Sequence, residues 1–455
     1  MERRILIFMI NKSPKEDYND GYYHIRKDIE DYPAAGFICV WSRRGPGKTY
    51  GFLRMCVDDE SYFIYIKRTN DDVDLLCTGG DNPDLKADLD PFVPLNRDFG
   101  WNIKPKKIKE GVACFYDTDD EGKPTGKPLG MVISMARVKS AKGFDMSKAR
   151  YICFDEFIPQ STEIVRKKEG EAFADFIMTA LRDKVKRGQQ LQVIMFANSE
   201  NISTPITNAF EIVDDMAEMA FAKQTHKFIA DRGILLHYIT QQEIPLTKEE
   251  LQSPMFKLMY GTAWAQKAFF GDFANNDFSN VKKLSIKNMQ CIHRIHYKNK
   301  DYYIYMRPSD NMHYMCYSKG PYQYEWDLNK ENHQKLFWIE HGQELRVDCI
   351  EDCMKFEKYT MYDLIFNYKK IFKNPFTYVT GAVLLSLFQI AIFAITGSPW
   401  GVSGVFANWG AWIYELLGGS VDKWHYFSST GAQNTLENGI MNHGGSWLNF
   451  GIIAG

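Results

Sequence analysis

One stretch near the start limits the fold more than any other part of the chain. Gly36-Phe-Ile-Cys-Val-Trp41 is a short apolar run, β-branched and aromatic, of the kind buried in a parallel sheet. It leads directly into Ser42-Arg-Arg-Gly-Pro-Gly-Lys-Thr49, and the following Tyr50–Cys56 suits a helix. Strand, glycine-rich turn, Lys-Thr and helix make the phosphate-loop arrangement. Gly45 and Gly47 let successive backbone N–H groups turn inward toward phosphates, and the helix N-terminus adds its partial positive charge. Lys48 would reach the β- and γ-phosphates, while the Thr49 hydroxyl would ligate magnesium. Ser42 stands where the pattern usually has glycine, and being small it weakens the match only slightly. A Gly-Pro-Gly surface turn with a solvated lysine would use the same letters, so a second element has to decide.

That element is Tyr151-Ile-Cys-Phe-Asp155-Glu156-Phe157. A buried-type strand delivers two adjacent carboxylates to its C-terminal end, where open α/β sheets bind ligands. Asp155 is the candidate magnesium residue and Glu156 the general base for the attacking water. Tyr62–Ile66, Met131–Met135 and Gln192–Ala197 fit further strands of the same sheet. The last ends at Asn198, a candidate γ-phosphate sensor or, alternatively, a capping residue. Glu171–Lys186 reads as an amphipathic helix with Phe173, Phe176, Ile177, Ala180 and Leu181 on one stripe. Nine residues on from Phe173, Arg182 comes about 180° round and points away from the core.

Four segments in this order, SRRGPGKT, FIYIKR, YICFDEFI and TALRDKVKRGQQLQVIMFANS, carry a specific resemblance. They resemble the DNA-packaging (encapsidation) ATPases of small podophages that replicate by protein priming, a family related to the FtsK and HerA translocases. Arg44 before Gly45, Phe157 and Ile158 are details that a generic phosphate loop would not supply. The resemblance spans about residues 1–372. It implies an α/β fold, a P-loop NTPase (ASCE-type) sheet with helices on both faces, over residues 1–228. A smaller α+β domain resembling a vestigial RNase H-like nuclease would follow over 229–372. ATP and Mg2+ would be held by Ser42, Arg44, Gly45, Gly47, Lys48, Thr49, Asp155 and Asn198, with Glu156 and Lys48 catalytic. Arg182 matches the arginine supplied to the neighbouring subunit's nucleotide, and Lys139 or Lys142 falls where the family presents a basic loop to DNA. Lys67 and Arg68 occupy positions that are also basic in the family, with nucleotide, neighbour or DNA as open contacts. The implied partners are double-stranded DNA, a homo-oligomeric ring (a pentamer by resemblance), the portal of the empty capsid and, in some members, a structural RNA. The implied location is the host cytoplasm, at the portal vertex.

The charge balance agrees with local rather than bulk contact to nucleic acid: 55 Lys and Arg against 57 Asp and Glu give a net charge of −2. Residues 229–280 read as loops, and Gln290–Tyr297 with Asp301–Met306 as a hairpin across Lys298–Lys300, whose lysines are plausible phosphate partners. A two-metal nuclease needs convergent carboxylates, and the spacing of Asp272, Asp277, Asp301 and Asp310 marks no such cluster. Nine scattered cysteines argue against a secreted disulfide framework. Cys349 and Cys353, with His293 and His296 upstream, fit no common zinc finger. Ile5–Ile10 is too short for a signal-peptide core, so an intracellular protein is expected.

The end of the chain differs in kind. From Pro375 onward the only charged side chains are Glu415, Asp422, Lys423 and Glu437. Residues 376–396 are uncharged and mostly apolar, long enough to span a bilayer, with Lys369, Lys370 and Lys373 just before them. A helix buried in an assembly and a capsid-related piece are the alternatives for this apolar, Gly- and Trp-rich tail, taken as 373–455. A membrane-anchored FtsK- or HerA-like translocase and a packaging enzyme with an active nuclease domain are the rival functions, although pumps of the first kind usually place the anchor before the ATPase.

Overall fold

The computed structural model describes residues 13–77, 89–141, 146–160, 163, 165–166, 168–182, 184–273, 276–366, 402–421, 424–427, 429–439 and 446. Two compact units divide between Tyr368 and Lys369. The first contains β1 (Phe37–Ser42), β2 (Phe63–Lys67), β3 (Ile103–Lys109), β4 (Val112–Asp117), β5 (Gly130–Ser134), β6 (Tyr151–Asp155), β7 (Gln192–Asn198), β8 (His226–Ile229) and β9 (Ile234–Tyr238). They form one nine-stranded sheet in the order β3-β4-β5-β2-β6-β7-β1-β9-β8. The run β5-β2-β6-β7-β1-β9 is wholly parallel, and β3, β4 and β8 extend it antiparallel at its edges.

Parallel strands must be covered on both faces, and alternation along β6 shows how this chain does it. On one face Phe52, from the helix Lys48–Asp58, meets Phe63, Tyr151 and Phe196 edge-on at 5.7, 6.2 and 6.2 Å. On the other, Phe154 meets Phe173 of the helix Glu169–Leu181 at 5.3 Å. Phe52, Phe154 and Phe173 are all fully buried, and truncating such an aromatic to alanine typically costs about 3–5 kcal/mol. The order β6-β7-β1 has a functional consequence. Because the three strands are parallel, Ser42, Asn198 and Asp155 reach the same edge, with Ser42 opposite Asn198 and Asp155 opposite Phe196.

Several boundaries differ from the sequence reading. The helix expected to reach Lys186 stops at Leu181, and a short 3-10 turn, Val185–Arg187, follows before Gly188 turns left-handed at φ 67°. The proposed border at residue 228 falls inside β8, because β8 and β9 belong to the main sheet and β9 pairs directly with β1. Residues expected as loops instead form three short helices, Lys248–Gln252, Pro254–Met259 and Ala263–Phe270, each started by a side-chain cap from Thr247, Ser253 or Thr262. Short capped helices carry too little periodicity to be seen as helices in sequence.

A second sheet, β13-β10-β11-β12-β14, is made by β10 (Gln290–Tyr297), β11 (Lys300–Arg307), β12 (Met312–Cys316), β13 (Tyr324–Asp327) and β14 (Met354–Phe356). The hairpin is tighter than expected. Tyr297 pairs with Lys300, so only Lys298 and Asn299 turn, both left-handed at φ 48° and 60°. Thr360 ties this half to the first through 2.9 Å bonds from its N–H and its hydroxyl to Asp214.

In the second unit, described by itself, the helix Val402–Leu416 packs through Ala411 on Val421 and Phe427, and Trp412 donates to the Leu436 carbonyl at 2.9 Å. Among the described residues no helix is long and apolar enough to cross a membrane. The proposed span 376–396 lies outside the described residues.

Candidate nucleotide-binding site

The turn after β1 needs its glycines. Gly45 and Gly47 have φ of 88° and 95°, a region that L side chains rarely adopt, and Gly47 starts the helix Lys48–Asp58. The preceding chain braces this turn: the Tyr23 N–H donates to the Pro46 carbonyl at 2.8 Å. Helix and brace approach so closely that a Cβ on Gly51 would stand 2.9 Å from the Tyr23 carbonyl. Lys48 is buried and spans the strand ends. Its Nζ donates to Ser42 Oγ at 2.6 Å, to the Arg43 carbonyl at 3.3 Å and to Asn198 Oδ1 at 3.4 Å. Burial pulls its ammonium down to about 8 against the attraction of Asp155 and Glu156. Ser42 is therefore more than a tolerated small residue, since its hydroxyl positions the lysine.

The acidic pair lies beside it. The Thr49 hydroxyl donates to Asp155 Oδ1 at 3.3 Å, and Tyr65 and Lys67 approach Oδ2 from the next strand at 2.5 and 3.3 Å. Tyr65 and Lys67 are two apart on β2, so both present the same face to β6. Burial works against the Asp155 carboxylate, but Lys67 and the hydrogen bonds outweigh it and hold it below the usual range. Glu156 differs. It has a left-handed φ of 58°, uncommon for a residue with a side chain, and its carboxylate is 43% exposed, 3.9 Å from Lys67 Nζ. Such strain persists only where the surroundings impose it, and it clusters at functional sites.

Here the imposing residue is Arg68, which the sequence alone left without a partner. Its guanidinium donates to the carbonyls of Glu156 at 2.9 Å and Phe157 at 2.8 Å, and it pairs with Glu169 and with Glu163. The Phe157 N–H closes the turn on the Phe196 carbonyl at 3.0 Å. Arg68→Ala is expected to lower turnover about tenfold or more, equivalent to ~1.4 kcal/mol of barrier. It should also destabilise by about 3–5 kcal/mol, because Glu169 would be left buried and unpaired. Turnover per folded molecule checks this; an unchanged value would leave Arg68 a purely structural residue.

A second support also went unseen in sequence. Arg43, buried beside the turn, pairs with Glu250 at 2.7 Å, and the Arg44 N–H donates to the Ala268 carbonyl at 3.2 Å. Gly271, at φ 72°, closes this contact, since a Cβ there would lie 2.7 Å from the Arg43 nitrogen. The segment 247–271 thus grips the phosphate loop.

Ser42, Gly45, Gly47, Lys48, Thr49, Asp155, Glu156 and Asn198 all come together at the C-terminal edge of the parallel strands. The Arg44 side chain is exposed at the rim of the same turn. Lys139 is exposed in the 3-10 turn Val138–Ala141 that follows β5, and Lys142 lies outside the described residues. Arg182 does not join its own site. It is exposed at the C-terminal end of the helix Glu169–Leu181, which runs back from the acidic edge toward the opposite end of the sheet. The acidic residues weighed for a nuclease each have other partners: Asp301 holds His296 and Arg294, Asp310 holds Arg307, Asp272 accepts from Tyr238, and Asp277 accepts from the Ser279 N–H. Lys300 pairs with Glu211 at 3.1 Å.

No family model matches the sequence, and no curated protein does. Among solved structures, the chain is similar to one from the bacteriophage Phi-29 viral genome packaging motor assembly, with TM-score 0.52 and 15% identity over 76% of this chain and 98% of that one. A second similarity, to the Phi-28 gp11 DNA packaging motor, has TM-score 0.45 and 14% identity over 75% of this chain and 95% of that one. At this identity the Phi-29 likeness shows a shared fold.

Proposed function

We propose that the chain is the ATPase subunit of a viral genome-packaging motor, hydrolysing ATP to drive double-stranded DNA into an empty capsid. The observation that carries this reading is the meeting of Lys48, Thr49, Asp155, Glu156 and Asn198 at one sheet edge, in a fold shared with a packaging-motor chain. Thr49 Oγ1 and the Asp155 carboxylate are adjacent hard oxygen donors, a set that suits Mg2+. Held by Thr49 and Asp155, such an ion would supply positive charge against the charge developing on the transferred phosphate.

The rest belongs to this chain's own residues. Gly45 and Gly47 open the backbone amides to the phosphates, with the exposed Arg44 at their rim. Lys48, positioned by Ser42 and Asn198, places its charge against them. Glu156 accepts the proton of the attacking water. Arg182 is offered to a neighbour in a homo-oligomeric ring, and Lys139 and Lys142 are the candidates for the DNA backbone. The proposed site of action is the portal vertex in the host cytoplasm, with a packaging RNA as a further candidate partner. Turnover is expected to rise when double-stranded DNA and empty capsids are added together. A folded protein with no turnover under any of these conditions would overturn the reading.

Residues 1–372 are expected to suffice for DNA-stimulated turnover, because every residue named above lies in the first unit. Removing the apolar remainder should also raise solubility. A folded but inactive truncation would assign the tail to the motor.

A further inference from the structure

We propose that Asp28, His226 and His237 form a binding site for a divalent transition-metal ion of the zinc class, separate from the nucleotide site. Their ligand atoms all lie within 4.8 Å of one another. Asp28, on the helix Ile25–Asp31, and His237, on β9, are 4% and 2% exposed, while His226, on β8, is 28% exposed and leaves a path from solvent. The two imidazole rings stand 3.8 Å apart.

The orientation of each ligand argues for a metal more strongly than proximity does. His237 presents Nδ1 to Asp28 Oδ2 at 2.7 Å, while its Nε2 meets the Glu243 carboxylate at 3.0 Å. His226 turns Nε2 toward Asp28 Oδ1 at 3.5 Å, while its Nδ1 meets Thr225 Oγ1 at 3.1 Å. Asp28 Oδ2 in turn accepts from the Tyr23 hydroxyl at 2.8 Å. Each imidazole therefore has one nitrogen aimed inward and the other held by an oxygen, the arrangement that fixes tautomer and raises basicity in histidine-ligated metal sites. Two neutral imidazoles and one carboxylate suit zinc better than magnesium or calcium, which prefer oxygen throughout. Ligands of a tetrahedral zinc at about 2.0–2.1 Å stand roughly 3.3–3.5 Å apart, so the two rings, with centroids 3.8 Å apart, would spread as the ion enters. A solvent molecule entering past the partly exposed His226 would complete four-coordination.

Without the ion a proton does the same bridging. Burial lowers the affinity of His237 for a proton, but Asp28 and Glu243 outweigh it and raise the imidazole to about 9. An imidazole ligates only in its neutral form, so metal affinity must rise with pH. The site joins the helix Ile25–Asp31 to the β8–β9 hairpin. Tyr23, which bonds Asp28 through its hydroxyl, also braces the phosphate loop through its N–H to Pro46. The ion would thus act as a structural staple one residue from the nucleotide turn.

The test uses the full chain, stripped with chelator and free of nucleotide, titrated with Zn2+ against a competing chromophoric chelator and separately with Co2+. One ion per chain is expected, bound more tightly at pH 8 than at pH 6.5. The Co2+ form should show intense tetrahedral d–d bands and no thiolate charge-transfer band. His226→Ala, at the half-buried ligand, should weaken Zn2+ about 100-fold while the metal-free protein keeps its thermal stability. Glu243→Gln should weaken it by about 10–100-fold. Absence of a stoichiometric ion in the wild-type chain would overturn the proposal without any variant. A thiolate band would overturn it too, by placing the ion among the nine cysteines, as would unchanged affinity in folded His226→Ala.

Discussion

Arg182→Ala subunits are expected to lose about 10³–10⁵ in ATP turnover, the range an arginine brought to the γ-phosphate supplies in other phosphate-loop enzymes. The geometry directs Arg182 away from the same subunit's phosphate loop. Arg182 caps a helix of 13 residues that starts next to the acidic edge and runs away from it. At 1.5 Å per residue, that places it about 20 Å from its own phosphate loop. Phe173, Phe176, Ile177 and Ala180 bury the opposite face of the helix, so the side chain is directed outward and exposed. An ordinary surface arginine in that position would be worth about 0–1 kcal/mol and would leave turnover unchanged. Mixing separates the two. Arg182→Ala and Glu156→Gln subunits should each be nearly inactive alone. In a mixed ring, some interfaces pair an intact Arg182 with a neighbour's intact Glu156, and activity should partly return. Mixed rings no more active than their parents would remove the assignment in trans.

Glu156→Gln should bind ATP as the wild type does and hydrolyse it about 10²–10⁴-fold more slowly, because an amide cannot take the water's proton. The substitution is nearly isosteric, and the backbone turn is held by Arg68 through carbonyls that it leaves untouched. Stability should therefore stay within about 0.5 kcal/mol, as for other surface changes. Lys48→Ala should differ in kind, losing nucleotide affinity along with turnover, since its Nζ is buried against Ser42 and Asn198. Single-turnover hydrolysis with parallel nucleotide-binding measurements distinguishes the pair. Wild-type turnover in Glu156→Gln would transfer the base role elsewhere.

What the sequence determined by itself is local and contiguous. The run Gly36–Thr49 and the run Tyr151–Phe157 each carry strand, turn and chemical group in one stretch. Both strands lie parallel in one sheet, with β7 between them, as buried apolar strands that need helices on both faces do. The hairpin at Lys298 was equally legible, because alternation and a polar turn are adjacent in the chain. Other features depended on residues far apart meeting in space. Arg68 fixes a left-handed Glu156 from 88 residues away, and Arg43 finds Glu250 at a separation of 207. Asp28 and His237, 209 apart, meet because β9 inserts beside β1 and carries a polar residue into an otherwise apolar strand. A charged side chain in a sequence shows no sign of whether it will be solvated or buried against a partner. Only the order of strands in the sheet settles which carboxylate each arginine or histidine will face.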